Sequence, residues 1–293
     1  MNTPDRYLAL CLDPVHVGTG GYRLGRVDMS IVRDPASGIP QIPGTSLAGA
    51  IRAYAELAKA DNPDFPDVPT VFGSVDGEQV RQGMLRFYDA DVAFFPVNSN
   101  LGTVWITTEP RLRKWLGAET GREVPVAESG PQVEHQVIAY WGLDRGVPLQ
   151  LGWLLLQAER ATQATESSGP PATLAFMRRL AIVSDKLFFH LVNDQLEVRT
   201  SVEIDDSTGA AKDGALFTYE AIPRGTVMGF ELAIDTRRGN GTAPDQVQRL
   251  LHVALAHLKL LGVGGMVTRG FGRLEVIEGA TSAEASAAIG GDQ

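Results

Sequence analysis

The chain has 293 residues, 44% hydrophobic and 21% charged, which excludes wholesale disorder and leaves room for one large domain or two modest ones. The single cysteine, Cys11, excludes an internal disulfide framework and any multi-cysteine zinc site, as expected in a reducing cytoplasm. A net charge of -9 is the wrong sign for binding nucleic acid by bulk electrostatics, so such a face must be a local basic strip.

Only five of the 26 basic residues are Lys; the rest are Arg, whose forks suit phosphates and stack on bases, although codon bias gives the same ratio. No apolar run reaches the roughly 18–20 residues of a membrane span, and the start lacks a basic and then apolar leader. A soluble, cytoplasmic protein is expected.

In chain order, Tyr7–Val17 reads as a strand with Pro14 near its end, followed by a turn at Gly18, Gly20, Gly21 and Gly25. Val27–Arg33 reads as a second short strand closed by Asp34-Pro35. Ile42-Pro43-Gly44-Thr45-Ser46 opens a helix whose stripe is Leu47, Ile51, Tyr54, Ala55 and Ala58, ended by Asp61-Asn62-Pro63. Met84–Val97 and Gly102–Thr107 are β-rich about a turn at Asn98–Asn100, and Pro110 opens a short helix through Trp115.

No elements are assigned between about Gly117 and Gly169, and Leu174–Phe189 reads as partly helical. Ser201–Phe217 holds a turn-dense insert at Ile204–Gly209, and Thr226–Ile234 alternates as a strand. From Pro244, the residues Val247, Leu250, Leu251, Ala254, Leu258 and Leu261 recur at helical spacing. A glycine loop, Gly262–Gly272, and a closing strand, Arg273–Glu278, complete the ordered chain. This strand–helix–strand rhythm at both ends predicts an α+β, ferredoxin-like layer. It reads as one domain over 1–280, with a frayed tail at 281–293.

The glycine loop follows a helix and opens a strand, the reverse of a nucleotide-binding loop, and it lacks the Gly-Lys-Ser/Thr ending. It reads either as a helix C-cap with a tight turn, or as bare backbone that a polyanion approaches, flanked by Arg269 and Arg273. His16 beside the first glycine turn, with Asp28 a dozen residues on, suits acid/base work; a structural histidine and a loop-capping aspartate are the plain alternatives. His252 and His257 are five apart on a helix and make a poor ligand pair, and no serine elbow exists. Asp89 and Asp91 share a strand face, which suits either a metal or, more simply, the solvent side of an edge strand.

Taken together, His16-Val-Gly18-Thr-Gly20, Val27-Asp28, Ile42-Pro43-Gly44-Thr-Ser46-Leu-x-Gly49-x-Ile-Arg52 and the Gly262–Gly272 loop resemble the RAMP superfamily of CRISPR effector proteins. Phe72-Gly73-Ser74, Phe94-Phe95-Pro96-Val97, Gly214-Ala215-Leu216-Phe217 and Glu220-x-Ile222-Pro223-x-Gly225-Thr226 resemble, within it, the Cmr4 family of type III-B complexes.

The resemblance implies an RRM-like RAMP fold with a β-hairpin thumb at about 201–217, including Ile204, Asp205 and Thr208. It implies copies polymerised along a guide crRNA beside other Cmr-type subunits, with no membrane, each cleaving single-stranded target RNA at regular intervals. Asp28 maps onto the family's cleaving aspartate and His16 onto its motif histidine; an acidic/aromatic pair falls at Tyr219 and Glu220. Mg²⁺ or another divalent ion at Asp28 is the implied cofactor.

Gly18, Gly20, Ser46, Arg52, Gly264, Gly265, Arg269, Gly270 and Arg273 are the implied RNA contacts. Ala48 stands where relatives commonly carry Lys, which leaves Arg52, the amides at Ser46 and Arg269 to hold the guide. A catalytically inert guide-binding scaffold is the alternative function. A glycine-loop cofactor enzyme is disfavoured by the helix–loop–strand order.

Overall fold

The computed structural model describes residues 4–20, 27–77, 79–116, 137–143, 148–160, 170–205, 207–239 and 241–277. The tail at 281–293 and most of 117–169 lie outside them. Strands β1 (Asp5–Cys11) and β2 (Gln41–Ile42) precede helix α1 (Gly44–Asp61). Helix α2 (Val68–Phe72) leads into the hairpin β3 (Gly73–Asp76) and β4 (Gln79–Gln82). Then come β5 (Leu85–Phe87), β6 (Ala90–Ser99), β7 (Gly102–Thr107) and α3 (Glu109–Leu116). β8 (Val137–Trp141), β9 (Pro148–Leu151), β10 (Leu154–Arg160) and β11 (Leu180–Val183) follow, then α4 (Asp185–Asp194). The hairpin β12 (Glu197–Ile204) and β13 (Ala211–Ala221) precedes β14 (Val227–Ile234), α5 (Pro244–Leu261) and β15 (Leu274–Val276).

The strand order β15-β1-β14-β6, antiparallel throughout, is the ferredoxin order when α1 joins β1 to β6 and α5 joins β14 to β15. The ten-residue β6 then passes the sheet on to β7, β11, β8, β10 and β9, so two halves share one strand. One core lies between the first half and the helices: the α1 stripe Leu47, Ile51, Tyr54, Ala55 and Ala58 and the α5 stripe Val247, Leu250, Leu251, Ala254 and Leu258 are buried there. A second core forms under α3, where Trp115 covers the backbone of Gly229; a Cβ there would sit 2.4 Å from the indole. Among the described residues no helix is long and apolar enough to cross a membrane.

Several expectations need correction. Val27–Arg33 forms isolated bridges at Met29, Ile31 and Arg33 rather than a strand. Val15, expected within the first strand, follows the break at Pro14 and makes only a single bridge, to Ile222. In Leu174–Phe189 a 3₁₀ turn gives way to β11, because Ile182 and Val183 are β-branched; the helix begins only at Asp185, where the Ser184 hydroxyl accepts from the Leu187 amide. Asp91 belongs to β6, an interior strand flanked by β14 and β7, and pairs with Lys114; Asp89 accepts the Gly44 N–H at 2.7 Å. Leu261, at helical spacing with the α5 stripe, closes the helix and is exposed.

Candidate active site at the root of the hairpin

Beyond Cys11 the chain turns at Pro14, and Val15 exchanges both backbone hydrogen bonds with Ile222, just past β13. That docking buries the His16 ring. Its Nδ1 lies 2.6 Å from the Glu220 carbonyl, which only accepts, so Nδ1 carries a proton and donates it there. Nε2 faces Gly18, where a Cβ would stand 3.0 Å away, and the Tyr219 ring meets the imidazole edge-on at 6.2 Å. The imidazole is locked between two chain segments.

The segment at 27–31 lies along β13. The Met29 amide donates to the Thr218 carbonyl at 3.0 Å, and the Glu220 amide to the Met29 carbonyl at 3.0 Å. Asp28 is fixed there by Thr218. Its Oδ2 accepts from the Thr218 amide at 2.7 Å and from the Thr218 hydroxyl at 3.0 Å. These two donors hold the carboxyl below the usual aspartate range, so the half-buried group is anionic at neutral pH.

The Glu220 side chain is engaged in an ion pair. Both carboxylate oxygens accept from Arg33 Nη2 at 2.9 Å, while Arg33 also reaches Asn193 Oδ1 at 3.1 Å and the Ile31 carbonyl at 3.2 Å. The side chain is spent on pinning the Asp28 segment to the hairpin root. Tyr219 is buried too, edge-on to Phe271 at 5.6 Å, with its hydroxyl 3.4 Å from the Ser201 hydroxyl.

The glycine loop is glycine-rich mainly because it packs against its own chain. A Cβ on Gly262 would meet the Gly272 backbone at 2.7 Å, and one on Gly264 would stand 2.4 Å from the His16 carbonyl, which accepts the Gly265 amide at 2.8 Å. Gly264 also sits at φ +86°, where a side chain is strained. Arg269 and Gly270 are exposed on the outer side of this loop, as is Gly20 on the first turn. Arg273 is committed elsewhere: its guanidinium makes a two-pronged pair with Asp13, at 2.5 and 3.0 Å.

The structure therefore brings Asp28, His16, Tyr219, Glu220, Gly18, Gly264 and Gly265 together. Ser46 and Arg52 lie apart on α1. The Ser46 amide donates to the Pro43 carbonyl at 2.9 Å, and Arg52 Nη1 to the Gly73 carbonyl at 2.8 Å, so neither group is unoccupied. The hairpin pairs from Glu197 to Ala221, beyond the expected 201–217 at both ends. Ile204 is half-exposed near the tip, where Asp205 accepts from the amides of Ser207 and Thr208 at 2.8 and 3.2 Å. Thr218, Arg33 and Asn193 were missed because nothing local marks a threonine or arginine that acts on a residue some 160–190 positions away.

A family model described as the RAMP superfamily matches residues 9–275. The CRISPR system Cmr endoribonuclease Cmr4 of Pyrococcus furiosus is 29% identical over 283 residues, covering 90% of this chain and 92% of that protein. A shorter likeness, 34% over 84 residues, covers 26% of this chain and 35% of the Cms endoribonuclease Csm3 of Mycobacterium tuberculosis. Among solved structures, a chain of the type III-B Cmr-beta complex bound to cognate target RNA superposes with a TM-score of 0.71 at 17% identity, covering 97% of this chain and 99% of that one. Oligomeric Cmr4 from Pyrococcus furiosus gives 0.62 at 22% identity, covering 94% and 97%. Both share the fold.

Proposed function

The chain belongs to the RAMP superfamily, and on that premise we propose that it is the repeated backbone subunit of a type III-B CRISPR complex, lying along a guide RNA and cleaving complementary RNA. The observation that carries the cleavage is the Asp28 carboxylate: ionised, partly open to solvent, and anchored by Thr218 at the root of a protruding hairpin. Its neighbours His16 and Glu220 are tied into the scaffold, which leaves Asp28 as the acid/base group of the constellation.

RNA brings its own nucleophile. Asp28 takes the proton of a 2′-hydroxyl as that oxygen bonds to the adjacent phosphorus and the P–O5′ bond breaks. The products are a 2′,3′-cyclic phosphate and a 5′-hydroxyl, whose oxygen takes a proton from water. The hairpin and His16 act before this step, by holding the Asp28 segment and the phosphodiester in register.

Among the described residues no three His, Cys, Asp or Glu side chains converge. A single carboxylate with one oxygen occupied by Thr218 would hold a divalent ion only together with RNA phosphate oxygens and water, so no step is routed through one.

The test is cleavage of labelled complementary RNA by the complex reconstituted with guide RNA and partner subunits, wild type against Asp28→Asn. Regularly spaced products lost in the variant, with target binding intact, support the nuclease. Equal cleavage by both moves the chemistry off Asp28, and binding without cleavage by either leaves a guide-binding scaffold.

A further inference from the structure

At the far end of β14 from this site, one buried carboxylate gathers three guanidinium groups. Asp235, whose side chain is 3% exposed, accepts from Arg237 Nε at 2.9 Å, Arg237 Nη2 at 3.1 Å and Arg238 Nε at 3.2 Å, with Arg86 Nη2 at 3.6 Å. Among the described residues every ion pair of these three arginines goes to that one carboxylate, so the cluster carries an excess of two positive charges on an acidic body. Asp235 fixes the forks while Arg237 and Arg238 stay 69% and 42% exposed. These bonds use the Nε edge, and among the described residues Arg237 Nη1 and both terminal nitrogens of Arg238 make no hydrogen bond.

A second feature adjoins the cluster. Arg86 also lines an open groove of ≈ 390 Å³ whose wall includes Thr45, Gly49 and Arg52 on the first turns of α1, with Phe72 and Phe87 stacked at 5.9 Å. A basic strip thus runs from α1 across Arg86 to Arg237 and Arg238. It is the local strip that a net charge of -9 demands of a nucleic-acid binder.

We propose that Arg237 and Arg238 form a phosphate clamp for a single-stranded RNA backbone, separate from the Asp28 site, with Arg86, whose Nη1 donates to the Gly83 and Leu85 carbonyls, bracing the Asp235 that holds them. Planar forks pre-set by a buried carboxylate match phosphate oxygens in pairs and lose little freedom on binding. β14 runs from Val227, beside Leu10 at the Asp28 end, to Ile234 at the other, which sets the two sites about 25 Å apart at the rise of a strand. The clamp holds a different stretch of the strand from the one that is cut. This inference rests on RNA as the ligand of the protein.

The test measures binding of a fluorescein-labelled single-stranded RNA of mixed sequence to the full chain across a salt series. Arg238→Gln gives up one hydrogen bond to Asp235 and lowers the log K against log salt slope by about 0.7, the value of one phosphate on a single strand. Arg237→Gln with Arg238→Gln lowers it by about 1.4. Arg238→Lys keeps the slope, and Arg249→Gln, an equal charge change on α5, leaves it unaltered. Should the double variant fail to fold, the Arg238→Gln pair of slopes decides alone.

An unchanged slope in Arg238→Gln, with wild type binding RNA in a salt-dependent way, overturns the clamp and spares the RNA reading. Loss of self-association by light scattering at unchanged slope assigns the arginines to an acidic protein face and also overturns it. Salt-independent or absent RNA binding by wild type overturns the RNA reading itself.

Discussion

Thr218 holds Asp28 from 190 residues away, through its amide at 2.7 Å and its hydroxyl at 3.0 Å, both on the same carboxylate oxygen. A third bond runs back, from the Asp28 amide to the Thr218 hydroxyl at 3.1 Å. The hairpin root thereby sets both the position and the charge state of the group proposed to take the proton.

Thr218→Val keeps the amide donor and deletes the hydroxyl. The Asp28 pKa rises toward that of a free aspartate, and cleavage at saturating target falls by about tenfold, the usual effect of one charged hydrogen bond. Thr218→Ser restores both. Single-turnover cleavage in the reconstituted complex, with target affinity as the control, reads the effect.

The pH dependence has a definite sign. Asp28 is held below its ordinary value by Thr218, and Asp13 below its own chiefly by the Arg273 hydrogen bonds. A carboxyl whose folded pKa is depressed adds stability above its unfolded pKa, near 3.9, and loses it as pH falls through the folded value. Cleavage by wild type therefore keeps its anionic base down to about pH 4, and the stability that Asp28 and Asp13 contribute is lost as pH falls below that, read as falling chemical-denaturation midpoints. In Arg273→Gln the acid decline of stability is shallower, because Asp13 then titrates nearer its unfolded value.

The two kinds of glycine in the late loop separate by substitution. Gly264→Ala places a Cβ 2.4 Å from the His16 carbonyl at φ +86°, and is expected to cost upwards of about 2 kcal/mol and to disorder the His16 segment. Gly270→Ala meets nothing within 4 Å at φ +79°, so only the backbone strain of about 1 kcal/mol remains. Urea midpoints of both variants against wild type check the difference.

The helical stripes of α1 and α5, the strand–helix rhythm at both ends and the glycine-dense return to the last strand were legible because each is periodic or local. Leu47, Ile51 and Tyr54 on one helix, and Val247, Leu250 and Leu258 on the other, announce their faces through spacing alone. The sheet order, with β1 between β15 and β14, follows from that strand–helix rhythm. Asp28 and His16 stood out in the sequence beside a glycine turn.

What those groups do was decided in three dimensions. Glu220 is engaged because Arg33, 187 residues earlier, meets both its oxygens; Arg273 is engaged because Asp13 waits 260 residues away. Asp235 collects Arg86 as well as its own neighbours only because β14 lies against β5. Spacing along a chain records which face a residue shares with its near neighbours. Whether a charged side chain is free or paired depends on groups that the packing of distant strands brings within hydrogen-bond reach, and no local pattern carries that.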